Sequence, residues 1–252
     1  MKKILALVMI LTLMCSMLVS CDNAEKLIEK ADAALEEAPY TVTMKTEFEC
    51  DNKEINEILS AMNMEIPMTI DGKNIAMDMS MDAMGYTTTA HITVVDMVMY
   101  YNIKMMGQTI KMKATLNEEE YKEFLEESST QMMLDPEDCE ELTVEKKNGK
   151  KYITCANVSE KGLKALNKIL EDITETFDGK ATVSEVSYGI TLNDGKYESM
   201  DLSCVYSFTM AGETFNVTMK CGADFSYDDA EKVTAPADAA EYEEAKFSDL
   251  LG

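Results

Sequence analysis

A single histidine, His91, limits the catalytic chemistry open to this chain, because any Ser-His-Asp or Cys-His relay would have to use it. Its alternate neighbours Thr89, Thr93 and Val95 form the more polar side of a strand-like segment, which reads His91 as a surface residue. No glycine-rich phosphate loop, histidine-based zinc spacing or Asp-x-Asp-x-Asp-Gly calcium loop is present. Carboxylates are so abundant, 47 in all, that their proximity alone singles out no acid–base pair. Methionine is the unusual residue, at 22 positions. Met77, Met79 and Met81 recur at every second residue, a spacing at which soft thioethers could hold Cu(I). They also alternate with Asp78, Ser80 and Asp82, as any strand with one buried face does. No cofactor is expected. A flexible, polarizable methionine-rich face suits an adaptable apolar ligand site better than a catalytic one.

The charge balance removes other classes. The net charge is −24, and all 23 basic residues are lysine. Nucleic-acid binding needs a basic footprint and usually arginine forks, so it is rejected. The absence of tryptophan demotes carbohydrate binding, which favours an aromatic stacking platform.

The N-terminus supplies an address. Lys2 and Lys3 precede an uncharged run from Ile4 to Met17, the layout of an export signal. The run is shorter than the ~20 residues of a spanning helix. It ends in Leu18-Val19-Ser20-Cys21, which resembles a bacterial lipobox. That resemblance implies a signal peptide over residues 1–20, a lipidated N-terminus at 21–23 with acyl chains on Cys21, and a chain held at the extracytoplasmic face of the cell membrane. Two or more acyl chains anchor stably where one does not. Loss of Lys2 and Lys3 makes the mature chain more acidic still, so attachment would rest on the lipid rather than on charge. With Cys15 removed and Cys21 lipidated, Cys50, Cys139, Cys155, Cys204 and Cys221 remain, an odd number that cannot all pair internally.

Periodicity then assigns the elements. Leu27, Ile28, Ala31 and Leu35 line one face of a helix over 24–37. Residues 40–50 alternate as a strand, and Ile55, Ile58, Leu59 and Met62 mark a short helix. A meander follows. An Asp71-Gly72 turn sets Met68 opposite Ile75, and a four-residue loop at 82–85 sets Met79 opposite Thr88. A Met106-Gly107 turn aligns Tyr101 with Met112 and Met97 with Leu116. Asn117 caps a helix carrying Tyr121, Phe124 and Leu125. Asn148-Gly149 turns a hairpin pairing Leu142 with Cys155, and Ser159 caps a helix that runs on to Phe177. In the final third, a loop at 193–195 pairs Tyr188 with Met200. A Gly212-Glu213 turn pairs Phe208 with Val217, Tyr206 with Met219 and Cys204 with Cys221. That last register is compatible with a Cys204–Cys221 disulfide or with two buried thiols. Beyond Ser226 the pattern fades into an acidic tail, residues 227–252, with a short helix near 239–246 or none.

The expected fold is α+β. About ten antiparallel strands, several longer than usual, form a large curved sheet, an open half-barrel with helices over its concave face. The order of helix, meander, internal helices and returning hairpins over 24–226 resembles the LolA-type carriers and the LppX/LprG-type lipid-binding lipoproteins. Residues 94–101 (Val-Val-Asp-Met-Val-Met-Tyr-Tyr), leading into 112–116 (Met-Lys-Ala-Thr-Leu), are similar to LolA-like lipoproteins of Gram-positive bacteria. The resemblance implies a hydrophobic cavity between sheet and helices. Met77, Met79, Met97, Met99, Tyr101, Met112, Tyr206, Phe208 and Met219 are the candidate lining. The function expected is a non-catalytic, monomeric, membrane-anchored binder of a lipid or other apolar molecule. The alternative is a structural or regulatory surface module with a packed interior and a protein partner.

Overall fold

The computed structural model describes residues 23–61, 63–83, 86–129, 138–164, 166–167, 180–210, 213–228 and 230–250. The expected signal peptide and Cys21 lie outside them. Among the described residues the chain is α+β and built on one open, curved sheet of twelve strands rather than about ten. The strands are β1 (Tyr40–Cys50), β2 (Met64–Asp71), β3 (Asn74–Ala83), β4 (Tyr86–Val95), β5 (Val98–Met105), β6 (Gln108–Thr115), β7 (Cys139–Lys147), β8 (Lys150–Val158), β9 (Lys180–Asn193), β10 (Lys196–Met210), β11 (Glu213–Ser226) and β12 (Glu243–Glu244). Their order in space is β12-β6-β5-β4-β3-β2-β1-β11-β10-β9-β8-β7. Two antiparallel meanders therefore meet where β1 pairs with β11, and among the described residues the one parallel contact is β12 on β6.

Helix α1 (Ala24–Leu35) is capped by Asn23, whose side chain accepts from the Glu25 N–H at 3.0 Å. It buries Ala24, Ile28 and Ala31 against β8–β11. The Tyr197 hydroxyl donates to Asp32 at 2.6 Å and fixes the helix to β10. Helix α2 (Lys53–Ser60) joins β1 to β2, capped by Asn52. Helix α3 (Glu118–Ser129) begins with a reciprocal capping box. Asn117 Oδ1 accepts from the N–H groups of Glu119 and Glu120 at 2.9 Å, and Glu120 accepts from the Asn117 N–H at 2.8 Å. Tyr121 and Phe124 of α3 pack against β1–β6. The helix expected from Ser159 to Phe177 is described at 160–164 and 166–167, where Leu166 joins the core.

The hairpins match the expected register where Met106-Gly107 and Asn148-Gly149 turn, with Tyr101 opposite Met112 and Leu142 opposite Cys155. Both residues of each turn have positive φ, as a type I′ turn requires. In four other hairpins the register is two residues away from expectation. Gly72-Lys73, not Asp71-Gly72, turns β2 into β3, so Met68 faces Met77. The β3–β4 ladder extends to Ala83↔Tyr86, so Met79 faces Ala90. Asp194-Gly195 forms a two-residue turn followed by a bulge at Glu198, so Tyr188 faces Leu202. The β10–β11 ladder reaches Met210↔Glu213, so Tyr206 faces Val217 and Cys204 faces Met219.

The cysteine pairing changes with it. Cys204 and Cys221 are not joined to each other, because Cys221 lies opposite Leu202 and the two cysteines are only diagonal neighbours. The disulfide is Cys139–Cys155, with Cα atoms 5.7 Å apart. Two register shifts between Cys139 and Leu142 bring the start of β7 within reach of β8.

The acidic segment after Ser226 is docked. Val233, Tyr242, Phe247 and Leu250 are buried, and short 3₁₀ turns at Ala239–Glu241 and Phe247–Asp249 flank β12. Lys111 bridges Asp238 and Glu241, Lys113 pairs with Glu244 at 3.2 Å, and Tyr242 stands edge-on to Tyr100 at 5.3 Å.

One close approach gives a direct test of the packing. A Cβ on Gly162 would lie 2.7–2.8 Å from Val158 Cγ1 and from the Cβ and carbonyl oxygen of Asp138. Gly162→Ala should lower stability by about 1–3 kcal/mol, the usual cost of overpacking, read as a reduced urea midpoint at unchanged slope.

Candidate functional site

Strand parity decides which side chains share a surface, since alternate residues point to opposite faces. Following the ladders outward from β1, the face carrying Val42 continues through Met68, Met77, Ile92, Tyr101 and Met112. In the other direction Phe48 continues through Met219, Cys204 and Val186. Of the nine residues expected to line a site, seven stand on this one apolar face. Phe208 pairs with Phe215 in the ladder, and its side chain lies outside what is described. Met97 is the ninth. It sits with Asp96 in the β4–β5 turn at φ 65°, half-buried, and its carbonyl accepts from the Leu116 N–H at 2.7 Å.

These residues do not gather into one site. Met77 and Met99 are buried against Tyr121 and Phe124 of α3 and against Phe247 and Leu250 of the docked C-terminal segment. Met79, Met97, Tyr101 and Met112 border that same cluster and are half-buried. Tyr206 and Met219 belong to the second core, under α1, with Phe48, Ile153 and Leu202. Leu35, Met200 and Phe225 touch both.

Within the β1–β6 half, cover thins along the strands. The row Ile75, Val94, Met99, Ala114 is fully buried. One row on, Met77 and Ile92 are buried while Tyr101 and Met112 are half-buried. In the next row Met79 and Ile103 are half-buried and Ile110 is exposed. The cause is the placement of the covering groups. Among the described residues, helix α3 starts directly after β6 and packs Tyr121 and Phe124, with half-buried Leu125, against the cluster that holds the near rows. What this arrangement offers is an apolar, thioether-rich surface with its outer rows accessible.

The opposite face is polar. His91 Nδ1 lies 2.7 Å from Asp78 Oδ1, and His91 Nε2 lies 3.1 Å from Thr93 Oγ1. The spacing is that of an acid–base relay, but Thr93 is only 2% exposed and out of reach of a substrate. His91 lines a depression of about 320 Å³ with Glu65, Ser80, Asn102 and Lys104. A second depression, about 510 Å³, lies over Gly189 and Gly222, with the Lys45–Asp224 ion pair at its side. Among the described residues no group of three or more His, Cys, Asp or Glu side chains is placed to hold a metal. Met77 stands between Met68 and Ile92, and Met79 faces Ala90, so their strand neighbours are hydrocarbon or another thioether. Among the described residues no helix is long and apolar enough to cross a membrane.

The buried thiols and phenols of the apolar face are held neutral. Burial, with Cys221 nearby, pushes Cys204 up to about 12. Burial, with Tyr227 and Tyr121, pushes Tyr40 up to about 12. Burial also raises Cys221, against a lowering hydrogen bond from Thr46. Sequence reasoning missed the docked segment. Its signal was the scattered apolar set Val233, Tyr242, Phe247 and Leu250, set against Lys111 and Lys113 on a hairpin without acids of its own.

No family model matches the chain, and no curated protein does either.

Two predictions follow from burial. Met99→Ala should cost about 2–5 kcal/mol by chemical denaturation, whereas half-covered Met112→Ala should cost about 1 kcal/mol or less. For the acids with raised folded pKa, stability is fully present below the unfolded value and is lost as pH rises through the folded one. Unfolding free energy should therefore fall from about pH 9 toward pH 12, and iodoacetamide at pH 8 should label Cys204 and Cys221 only after denaturant is added.

Proposed function

We propose that this chain is a lipid-anchored, extracytoplasmic binding protein that holds a lipid or another apolar molecule against the methionine-rich face of a LolA-like half-barrel. On this reading Cys21 carries the anchor and the domain performs no covalent chemistry. The observation that carries it is the graded cover over β1–β6. Met44, Ile66, Met79, Tyr101, Ile103 and Met112 form a continuous apolar surface that helix α3 and the C-terminal segment leave half open. A surface built only for packing would be closed along its whole length, because exposed apolar area gains nothing and invites association.

Thioethers suit that role. Met is unbranched and polarizable, so a face of methionines adapts to acyl chains of differing length and bend. The polar face, with its Lys45–Asp224 and Lys220–Glu49 pairs, stays in water and supplies solubility. The two cores divide the labour. The β8–β11 half buries its central rows under α1, and the β1–β6 half offers the surface.

The test is extraction of the purified mature protein with organic solvent, alongside native mass spectrometry of the intact chain. A stoichiometric apolar molecule, lost on Met79→Lys with Met112→Lys while the fold is retained, is the expected outcome. A bare protein mass from cells rich in lipid would sink this reading and favour a surface module that meets a protein partner.

A further inference from the structure

The β5–β6 hairpin ends in Met105-Met106-Gly107, and its tip is the most exposed apolar point among the described residues. Met106 is 67% exposed, Met105 46% and Ile110 41%. Met106 also occupies the first central position of a type I′ turn at φ 51°, a left-handed conformation that favours Asn, Asp or Gly. The other two-residue turns with both φ positive are Asn148-Gly149, Asp194-Gly195 and Asp96-Met97, each with Asn or Asp in the first position. Met106 is therefore disfavoured twice, by its backbone and by its contact with water.

The surroundings point the same way. From Met97 to Asn117 the chain has no Asp or Glu, the longest such run after residue 22 in a protein with 47 acids. Exposed Lys104 is the cation beside the tip. Met64, at the start of β2, and Ile58 of α2 are exposed at this same end of the sheet. Acids stand at both ends, Asp71 and Asp96 in the turns of the other one and exposed Asp51, Glu54, Glu57 and Glu65 around α2 at this one, so the acid-free stretch is the β5–β6 hairpin itself. Parity makes the tip continuous with the half-open face, since Met105, Ile103 and Ile110 share the surface of Tyr101 and Met112.

We propose that this end of the sheet is a membrane-contact element, in which Met105 and Met106 insert into the interfacial region of a phospholipid bilayer. The inference rests on the reading of the chain as a lipid-anchored apolar binder. An anchor a few residues before α1 keeps the domain at high effective concentration over the bilayer, so a small apolar tip suffices to orient it. The acid-free hairpin is where an otherwise acidic protein meets least repulsion from the surface. Once seated, the tip would place the open rows of Ile103, Ile110, Tyr101 and Met112 next to the acyl chains. A ligand would then pass between bilayer and face along continuous hydrocarbon.

The test uses the whole mature chain with Cys21→Ser, so that no acyl anchor contributes, and phosphatidylcholine vesicles with or without phosphatidylglycerol. The chain contains no tryptophan, so Gln108→Trp beside the tip, or Lys73→Trp at the far end, introduces a sole indole reporter. The Gln108→Trp protein should blue-shift on vesicles and be quenched by brominated acyl chains, and the Lys73→Trp protein should not. Met105→Ser with Met106→Asn should weaken vesicle partitioning at least tenfold without lowering thermal stability, since Asn accepts the left-handed turn. Absence of partitioning, equal quenching of both reporters, or binding that requires phosphatidylglycerol and vanishes in high salt would overturn the proposal. So would a dimer in solution that the double variant converts to monomer with vesicle binding unchanged. A protein that seats by its tip but carries no extractable lipid removes the carrier reading alone. A lipid-loaded protein whose Gln108→Trp emission is unmoved by vesicles removes this inference alone.

Discussion

The ten-residue ladder between β1 and β11, from Thr41↔Ser226 to Cys50↔Val217, is the interaction on which the rest depends. Each meander is local, made of hairpins whose ends are close in sequence. The β1–β11 ladder joins residues 167 to 185 positions apart and turns two sheets into one. It comes at the entropy of closing a long loop, and the closure is offset only by what the joined surface can bury. The joint explains why Leu35, Met200 and Phe225 belong to both cores: they sit where the two halves of the apolar face become one surface. It also fixes parity across all the long strands, so a slip of one residue between β1 and β11 would turn half of the apolar face toward water.

That parity is what the sequence makes legible, and it accounts for what was and was not readable. Alternation in residues 40–50, 97–116 and 200–221 shows which side chains point inward without any knowledge of their partners. Four hairpins are nonetheless two residues away from the register their turns suggested. An even displacement preserves every face and changes every pair. So Met77, Met99, Tyr206 and Met219 face inward as expected, while the pairing of Cys204 with Cys221 fails. The error lies in turn chemistry. Met106-Gly107 and Asn148-Gly149 place glycine second, at a type I′ site, and both were readable. At Gly72-Lys73 glycine comes first and Asp71 belongs to the strand, which the Asp-Gly signal conceals. The β4–β5 turn uses Asp96-Met97, both with positive φ and without glycine, and no local rule announces it.

The candidate surface was legible as a set of residues but not as a site. Periodicity treats Met99 and Met112 alike, because both alternate in phase. What separates them is cover supplied from elsewhere in the chain. Helix α3 shades the rows nearest its own start, and Phe247 and Leu250 arrive from the far end of the sequence. The segment that carries them has no period, because it follows no single element. It crosses the polar face at Lys111, adds β12 to the edge of β6, and turns its last apolar residues into the core. Such a path is set by tertiary contacts, and composition alone reads it as a solvated acidic tail.

The same segment resolves a hazard inherent in an open sheet of twelve strands. Unpaired edges template further strands, so each must be covered or made repulsive. At one edge β12 covers Met112 and Lys113 and is held there by ion pairs from the two lysines. Lys111 serves both purposes, since its two carboxylate partners fix the segment and its ammonium lies over the Tyr242 ring, 5.8 Å from the centroid. At the other edge β7 exposes Glu140, Glu141, Glu145, Lys146 and Lys147 and is tied to β8 by Cys139–Cys155. A closed barrel would need neither device. The open sheet leaves only the outer rows of its apolar face half-buried or exposed among the described residues, and the charged, stapled edge and the strapped edge blunt its two ends. The strap pairs with the β6 backbone at Met112 and Lys113, Gln108 to Ile110 are exposed beyond it, and the apolar face stays continuous to the hairpin tip.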